Sequence, residues 1–279
     1  MKRKETSVTL TNSPIKKPTS ATKEVENAAG RLIHENVFWH TCGITSRHTK
    51  SGHPETGSGA AIEWQGRFFI LTANHVISGF TDSDLEFVFR PAGTLAESDW
   101  WQSQTTGPVL LTPARKIPFI RRYASDKFDL AALEVHETMV EGHLRFYKLR
   151  AENKIIRPII NTLCAIGVPF DSYEQLAPGA VTFRPYALWG NYVPGGSKWK
   201  HQIDTRTHLL MEFPPAKNGR EPHGFSGAGA WYHDPTIKPS HIWVPSLIFA
   251  GIITHYFRKS QVLQICRVEK VVSFLRTLR

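Results

Sequence analysis

The segment 223–229, HGFSGAG, most constrains what this chain can fold into, because it places one serine among closely spaced glycines. Glycine adopts backbone conformations that other residues resist, so the chain can turn tightly around Ser226. A tight turn brings neighbouring backbone amides toward a single point, where they can stabilise an oxygen that gains negative charge during acyl transfer. The segment therefore predicts a serine nucleophile beside an oxyanion hole.

Two upstream segments supply the other groups that such a serine needs. His75 follows a strand-like apolar run, and Asp129 stands directly before the apolar run 130–133. A serine hydroxyl is a weak nucleophile and needs a base, and histidine is the side chain whose ordinary pKa lies nearest neutrality. A carboxylate can orient the imidazole by accepting a hydrogen bond from its other nitrogen. The order histidine, aspartate, serine predicts a catalytic triad, in which Asp126 is a competing carboxylate.

These segments resemble the motifs of trypsin-like serine proteases with the chymotrypsin fold, and the bacterial HtrA-type branch more than the secreted digestive enzymes. Residues 57–62, GSGAAI, resemble the strand that enters the first barrel of that family. Residues 165–170 resemble the strand that opens the second barrel, and 250–254 the strand that follows the nucleophile. The resemblance covers roughly residues 57 to 256 in the family's order. It implies that the amides of Gly224 and Ser226 form the oxyanion hole.

The resemblance also implies an all-β fold of two six-stranded-type antiparallel barrels, with a C-terminal helix and a short N-terminal helix. The expected parts are a disordered basic tail over 1–20, an N-terminal helix and first barrel over 21–157, and a second barrel with the C-terminal helix over 158–279. The chain of 279 residues is long enough for two barrels of about a hundred residues each. Its 18 prolines and 20 glycines are typical of a protein built from sheets and turns.

Local patterns place several elements within this frame. A hairpin is expected at Gln65 and Gly66, and helical spacing of apolar residues predicts a helix from Val268 to Leu278. The segment 100–120 is interpreted as an insertion without an assigned role. The predicted strands span 37–44, 85–89 (with alternate residues buried), 163–168, 180–188, 209–213, 228–232 and 242–254.

The resemblance extends to a substrate pocket. Counting back from the nucleophile without gaps, Arg220 would form the base of the pocket, and its wall after Thr254 would be His255 and Tyr256. Tyr256 would narrow the pocket, while Arg220, His223 and His255 would favour an acidic side chain in the substrate. The alternative is that gaps in this loop make the count meaningless.

Phe225 departs from the family's secreted members, which carry an aspartate before the nucleophile to bind a processed N-terminus. Activation through that ion pair is therefore not available, and any control is expected to shift the loops around Gly224 and Tyr256 through a contact with a partner protein or the substrate. The three cysteines lie far apart, and no motif with metal-ligand spacing or phosphate-binding glycines occurs. We expect no metal and no cofactor.

Charge and hydropathy bear on location and partners. Half of the net charge of +10 comes from residues 1–23, so that segment is expected to be a solvated tail, with nucleic-acid binding as the less favoured alternative. No signal-peptide-like apolar run follows the first charges, and no run approaches the length of a membrane span. Together with the few cysteines, this indicates the cytoplasm of a bacterium.

The predicted function is that of a serine endopeptidase, which hydrolyses peptide bonds in a protein or peptide through a Ser-His-Asp triad and an acyl-enzyme. The alternative is a catalytically inactive protease-fold module that binds or scaffolds partners in a prokaryotic stress or defence system. Labelling with a fluorophosphonate distinguishes the two. Neither the physiological substrate nor the oligomeric state is predicted.

Overall fold

The computed structural model describes residues 37–46, 56–89, 111–113, 115–152, 162–168, 180–182, 186–194, 203–213, 222–233 and 247–278. Within these ranges strands predominate, which confirms the all-β prediction. The α-helices bounded within these ranges are α1 (Asn74–Ile77) and α2 (Val268–Leu275), and a 3₁₀ helix spans Glu137–Met139. The strands are β1 (Thr41–Ser46), β2 (Thr56–Trp64), β3 (Arg67–Ala73), β4 (Leu85–Val88), β5 (Leu111–Pro113), β6 (Phe119–Ser125), β7 (Leu130–Val135), β8 (Tyr147–Lys148), β9 (Thr162–Gly167), β10 (Ala180–Thr182), β11 (Tyr186–Val193), β12 (His208–Glu212), β13 (Gly229–His233), β14 (Leu247–Phe257) and β15 (Val262–Arg267).

Two sheets organise the molecule. The second is a closed six-stranded barrel in the order β11-β12-β15-β14-β13-β9, as expected. The first is a seven-stranded half-barrel in the order β4-β1-β2-β3-β7-β6, with the short β8 pairing parallel to β2. An isolated bridge between Phe87 in β4 and Arg115 brings the chain that leads into β6 alongside β4. The prediction of two six-stranded barrels is therefore met by the second sheet, whereas the first sheet is a half-barrel.

The central strands of the first sheet are buried on both faces. Phe69 and Leu71 of β3 belong to a core shared with the second barrel, whereas Ile70 belongs to the core inside the first sheet. The same alternation holds in β7, where Ala132 faces the shared core and Leu133 the inner one. Burial on both faces explains why these strands are continuous apolar runs. It also means that the first sheet is complete only when the second barrel covers it.

A hydrogen bond joins the chain just after the C-terminal helix to the first sheet. Helix α2 buries its apolar side, and the chain just beyond it carries Leu278, whose carbonyl accepts a hydrogen bond of 3.1 Å from Nη1 of Arg67. Nε and Nη2 of Arg67 donate to the carboxylate of Glu134 at 2.8 and 2.7 Å, a bidentate and geometrically specific pairing, and Nη2 also donates to the hydroxyl of Tyr123 at 2.7 Å. One side chain of β3 therefore connects the first sheet to the last described residues.

Several local predictions are confirmed and others are wrong. The hairpin between β2 and β3 turns at Gln65 and Gly66, whose φ angles of 51° and 75° are typical of a type I′ turn. The alternation predicted for 85–89 is wrong, because Glu86 is buried together with its neighbours. The first strand begins at Thr41 rather than 37, and β15 was not predicted at all.

The inserted segment and the chain termini have different outcomes. Within 100–120, β5 pairs antiparallel with β10, so this segment contributes to a two-stranded ribbon. The strand expected over 180–188 is instead two strands, β10 and β11. The expected basic tail and N-terminal helix lie outside the described residues. None of the helices that the structure describes is both long and apolar enough to cross a membrane.

Gly251 in β14 packs closely against the backbone of the neighbouring strand β15. Its φ is 149°, and a Cβ there would lie 1.9 Å from the carbonyl oxygen of Cys266. We expect Gly251→Ala to lower the free energy of unfolding by about 3 kcal/mol, because both the clash and the backbone strain must be relieved. Urea unfolding measures this, with Gly79→Ala as the control, since a Cβ at Gly79 meets nothing within 4 Å. Equal losses in both variants would contradict the tight packing.

His40 makes stability depend on pH. Its ring stacks on Trp231 at 5.6 Å, and Nδ1 donates to the carbonyl of Arg145. Burial lowers the pKa of His40, which outweighs the opposing effect of that hydrogen bond. The unfolded chain therefore binds a proton at His40 more readily than the folded protein does. The contribution of neutral His40 to the free energy of unfolding is fully present above about pH 6.5 and is lost as the pH falls toward the folded pKa. We expect His40→Gln to flatten the dependence of the unfolding free energy on pH between 7 and 5. His136→Gln, at an exposed position, should leave it unchanged.

Candidate active site

His75 stands at the start of α1, directly after β3. The first amides of a helix have no acceptor within the helix, and here no side chain of the preceding residue caps them. Asp129 supplies both acceptors: its carbonyl binds the amide of Asn74 at 3.0 Å, and its Oδ1 binds the amide of His75 at 3.0 Å. The turn before β7 is thereby fixed to the helix that carries the histidine.

The second carboxylate oxygen of Asp129 contacts the imidazole. Oδ2 lies 2.6 Å from Nδ1 of His75, so the same carboxylate orients both the backbone and the ring. Nε2 is left as the ring nitrogen able to take a proton. Asp129 has a φ of 50°, a left-handed conformation that aspartate and asparagine adopt more readily than most residues. The side chains of His75 and Asp129 are 49% and 35% exposed, so the pair is accessible to a ligand.

Asp126, the competing carboxylate, has a different partner. Its Oδ1 accepts a hydrogen bond of 2.7 Å from the side chain of Asn74. At the other end of α1, the guanidinium of Arg122 donates to the carbonyls of Ile77 at 2.6 Å and Phe80 at 2.9 Å. Sequence reasoning missed both contacts, since nothing in the local pattern relates Asn74 or Arg122 to the helix ends. They hold α1 in place without contacting the imidazole.

The segment around Ser226 forms the predicted tight turn. The amide of Phe225 donates to the carbonyl of Pro222 at 3.2 Å, and Gly224 has a φ of 89°, as the third residue of a type II turn requires. Gly227 has a φ of 88°. Among the hydrogen bonds of the described residues, none is donated by the amides of Gly224 and Ser226. These two amides are the candidates for an oxyanion hole.

The turn that carries Ser226 packs against β2, the first strand of the β2–β3 hairpin that leads to His75. A Cβ at Gly57 would lie 2.5 Å from Cγ1 of Val76 and 3.1 Å from the carbonyl oxygen of Ser226. Gly57 is thus in contact with the neighbour of His75 on one side and with Ser226 on the other. No hydrogen bond between the imidazole of His75 and the hydroxyl of Ser226 occurs among the described residues. Such bonds are often long in ligand-free proteins and tighten when substrate binds.

The residues predicted to form the substrate pocket are only partly described. Arg220 lies outside the described residues. His223 and His255 are exposed, and the His255 ring contacts Phe257 at 4.6 Å.

Thr254 and Tyr256 are less exposed than the two histidines. Tyr256 is half-buried with its ring edge-on to Phe213 at 5.5 Å. Thr254 is buried, and its Oγ1 has no hydrogen-bond partner among the described residues.

A cavity of about 370 Å³ lies on the second barrel beside β11 and β12; none of the predicted pocket residues lines it, although its Phe213 contacts Tyr256. It is lined by Thr162, Trp189, Gly190, Asn191, Glu212, Phe213, Ser260 and Gln261. In the part of the chain that the structure describes, no cluster of histidine, cysteine or acidic side chains could hold a metal ion.

Sequence comparisons give no relative, since neither a family model nor a curated protein matches the chain. Solved structures do match. A serine endoprotease from Yersinia pestis has a TM-score of 0.51 at 14% identity, over 94% of this chain and 67% of that one. An inactivated protease paralogue from the scabies mite has a TM-score of 0.53 at 15% identity, over 88% of this chain and 96% of that one. Identities this low show the fold alone. The chain has a trypsin-like serine protease fold.

Proposed function

We propose that the protein is a serine endopeptidase in which His75, Asp129 and Ser226 form the catalytic triad. The observation that carries this proposal is the double hydrogen bond of Asp129 to His75, which binds the ring at Nδ1 and the backbone at the amide. A structural aspartate could cap α1 without contacting the ring, so the second bond favours a catalytic role. The protease folds of the two structural neighbours support a protein or peptide as the substrate.

The proposed reaction begins when Ser226 Oγ attacks the carbonyl carbon of the scissile peptide bond. Nε2 of His75 accepts the hydroxyl proton, and Asp129 stabilises the imidazolium that results. The amides of Gly224 and Ser226 donate to the oxyanion of the tetrahedral intermediate. His75 then protonates the leaving amine, which gives the acyl-enzyme. Water attacks the ester by the same route in reverse and releases the acid.

Peptide selectivity is proposed from the side chains near the serine turn. Arg220, His223 and His255 would favour an acidic substrate side chain, and Tyr256 would restrict its size. His223 precedes the proposed oxyanion amide and is exposed, so it is accessible to a bound peptide. Cleavage after small or acidic residues is therefore proposed, and a peptide library dominated by lysine or arginine would oppose it.

Regulation and location are further parts of the proposal. Phe225 is 2% exposed and apolar, so a buried N-terminal ammonium would find no counter-charge on that side chain. We therefore propose control by a partner protein rather than by N-terminal processing. The three cysteines are free, and burial raises the pKa of the Cys266 thiol to about 12. Buried, protonated thiols fit the proposed bacterial cytoplasm.

A second function is favoured by one observation. The scabies mite neighbour is an inactivated paralogue with the same fold, so this architecture also occurs without proteolysis. The alternative for this chain is a binding or scaffolding module. A fluorophosphonate probe separates the two functions, because it reacts only with an activated serine. Labelling of the intact protein, together with hydrolysis of an unstructured protein substrate, is expected. Absence of both would favour the binding module.

A further inference from the structure

Ser58 is a second serine at the proposed site, and its hydroxyl is completely buried in β2. The amide of Val168 donates to its Oγ at 2.8 Å, and Oγ donates to the carbonyl of Gly224 at 2.6 Å. An amide can only donate and a carbonyl can only accept, so the direction of both hydrogen bonds is fixed. The single hydroxyl proton of Ser58 is directed at the serine turn.

The backbone of Ser58 holds the same turn at a second point. Its amide donates to the carbonyl of Ser226 at 2.8 Å. Its own carbonyl accepts a hydrogen bond of 2.8 Å from Oγ1 of Thr72, which is also buried. Ser58 therefore binds the carbonyls of Gly224 and Ser226, the two residues whose amides are proposed to form the oxyanion hole.

The peptide group that carries the Ser226 amide lies between these two bound carbonyls. Glycines with positive φ stand at both ends of the segment, Gly224 at 89° and Gly227 at 88°. Glycine has the largest conformational freedom of any residue, so a segment with a glycine at each end needs an external restraint to keep one geometry. Of the described contacts, the two from Ser58 hold the proposed oxyanion residues directly to the first sheet.

We propose that Ser58 is a positioning residue that sets the orientation of the Ser226 amide and the adjoining Gly224 peptide through its hydroxyl. This inference rests on the proposed peptidase function. Because the oxyanion forms only after attack, misplaced amides should affect turnover rather than the binding of substrate.

The test compares Ser58→Ala with Thr41→Val by steady-state hydrolysis of one peptide. Thr41 is a matched control, since it is buried in β1 and its hydroxyl donates to the carbonyl of Val37, four residues earlier, at 3.3 Å. We expect Ser58→Ala to lower kcat by roughly 10- to 100-fold with KM within about twofold, since two buried groups lose their partner. Thr41→Val should leave kcat within about twofold.

A spectroscopic measurement accompanies the kinetics. In protein labelled with ¹⁵N-glycine, the amide resonances of Gly224 and Gly227 should broaden or shift in Ser58→Ala and stay unchanged in Thr41→Val. If Ser58→Ala does not fold, Ser58→Cys replaces it in the test. The cysteine keeps a weak donor of similar size, so its kcat should fall below that of the wild type by less than the roughly 10- to 100-fold expected for loss of the donor.

The outcomes are distinguishable. If the wild type hydrolyses the peptide and Ser58→Ala has the same kcat, the positioning role is overturned and the peptidase proposal stands. An equal fall in kcat in Thr41→Val would reduce Ser58 to an ordinary stabilising contact and overturn its positioning role. If the wild type neither hydrolyses peptide nor reacts with the probe, the peptidase proposal fails. Unchanged glycine resonances in Ser58→Ala would then refute the restraint itself.

Discussion

Ser226→Ala is expected to abolish peptide hydrolysis and fluorophosphonate labelling, with a loss on the order of 10⁶ in kcat. The change removes only the attacking oxygen. The Ser226 hydroxyl takes part in none of the hydrogen bonds of the described residues, whereas its carbonyl bonds to Ser58 and remains. The free energy of unfolding should therefore stay within about 0.5 kcal/mol of the wild type.

The control for this prediction is Ser273→Ala, which removes an exposed hydroxyl from α2. It should leave hydrolysis and labelling unchanged. Mass spectrometry of the labelled wild type should place the phosphonyl group on Ser226. Hydrolysis that persists in Ser226→Ala, measured on protein freed of contaminating proteases, would show that Ser226 is not the nucleophile.

Asp129→Asn should lower kcat by about 10⁴-fold while the fold is retained. Asparagine tolerates the left-handed backbone of Asp129, whose φ is 50°, and its amide oxygen can still accept from the amide of His75. The NH₂ group would then face Nδ1 as a donor and favour the ring tautomer whose Nε2 carries hydrogen. That nitrogen can no longer accept the proton of Ser226.

The comparison for Asp129→Asn is Asp126→Asn, the same chemical change three residues earlier. Asp126 binds Asn74 and not the imidazole, so its amide variant should retain most of the activity. Circular dichroism and thermal unfolding would verify that both variants are folded. A larger loss of kcat in Asp126→Asn than in Asp129→Asn would reverse the proposed assignment of the carboxylates.

The sequence was most informative where chemistry requires particular residue types. Only a few residues can serve as base and orienting acid, so His75 and Asp129 could be proposed from their order and flanks, and the structure brings them within 2.6 Å. The turn at Gln65 and Gly66 could likewise be predicted, because positive φ at consecutive positions restricts the residues that fit.

Long-range packing was not predictable in the same way. Glu86 follows the polar phase of an alternating strand, and only the surrounding chain makes it buried. The β15 segment, VLQICR, is a short apolar run that periodicity alone cannot distinguish from the beginning of the following helix. The role of Ser58 depends on contacts 110 and 166 residues away in the sequence. No local pattern encodes such separations.

The bond from Arg67 to the Leu278 carbonyl has a consequence for the time at which activity can begin during protein synthesis. The two residues are 211 positions apart, so the ribosome makes Arg67 long before its acceptor exists. The outer face of β3 likewise lacks its cover until the second barrel has been translated. A growing chain would therefore contain His75 and Asp129 before the second barrel that covers the first sheet, and before Ser226, had been made. The proposed proteolysis could therefore start only after the second barrel and Leu278 have been translated.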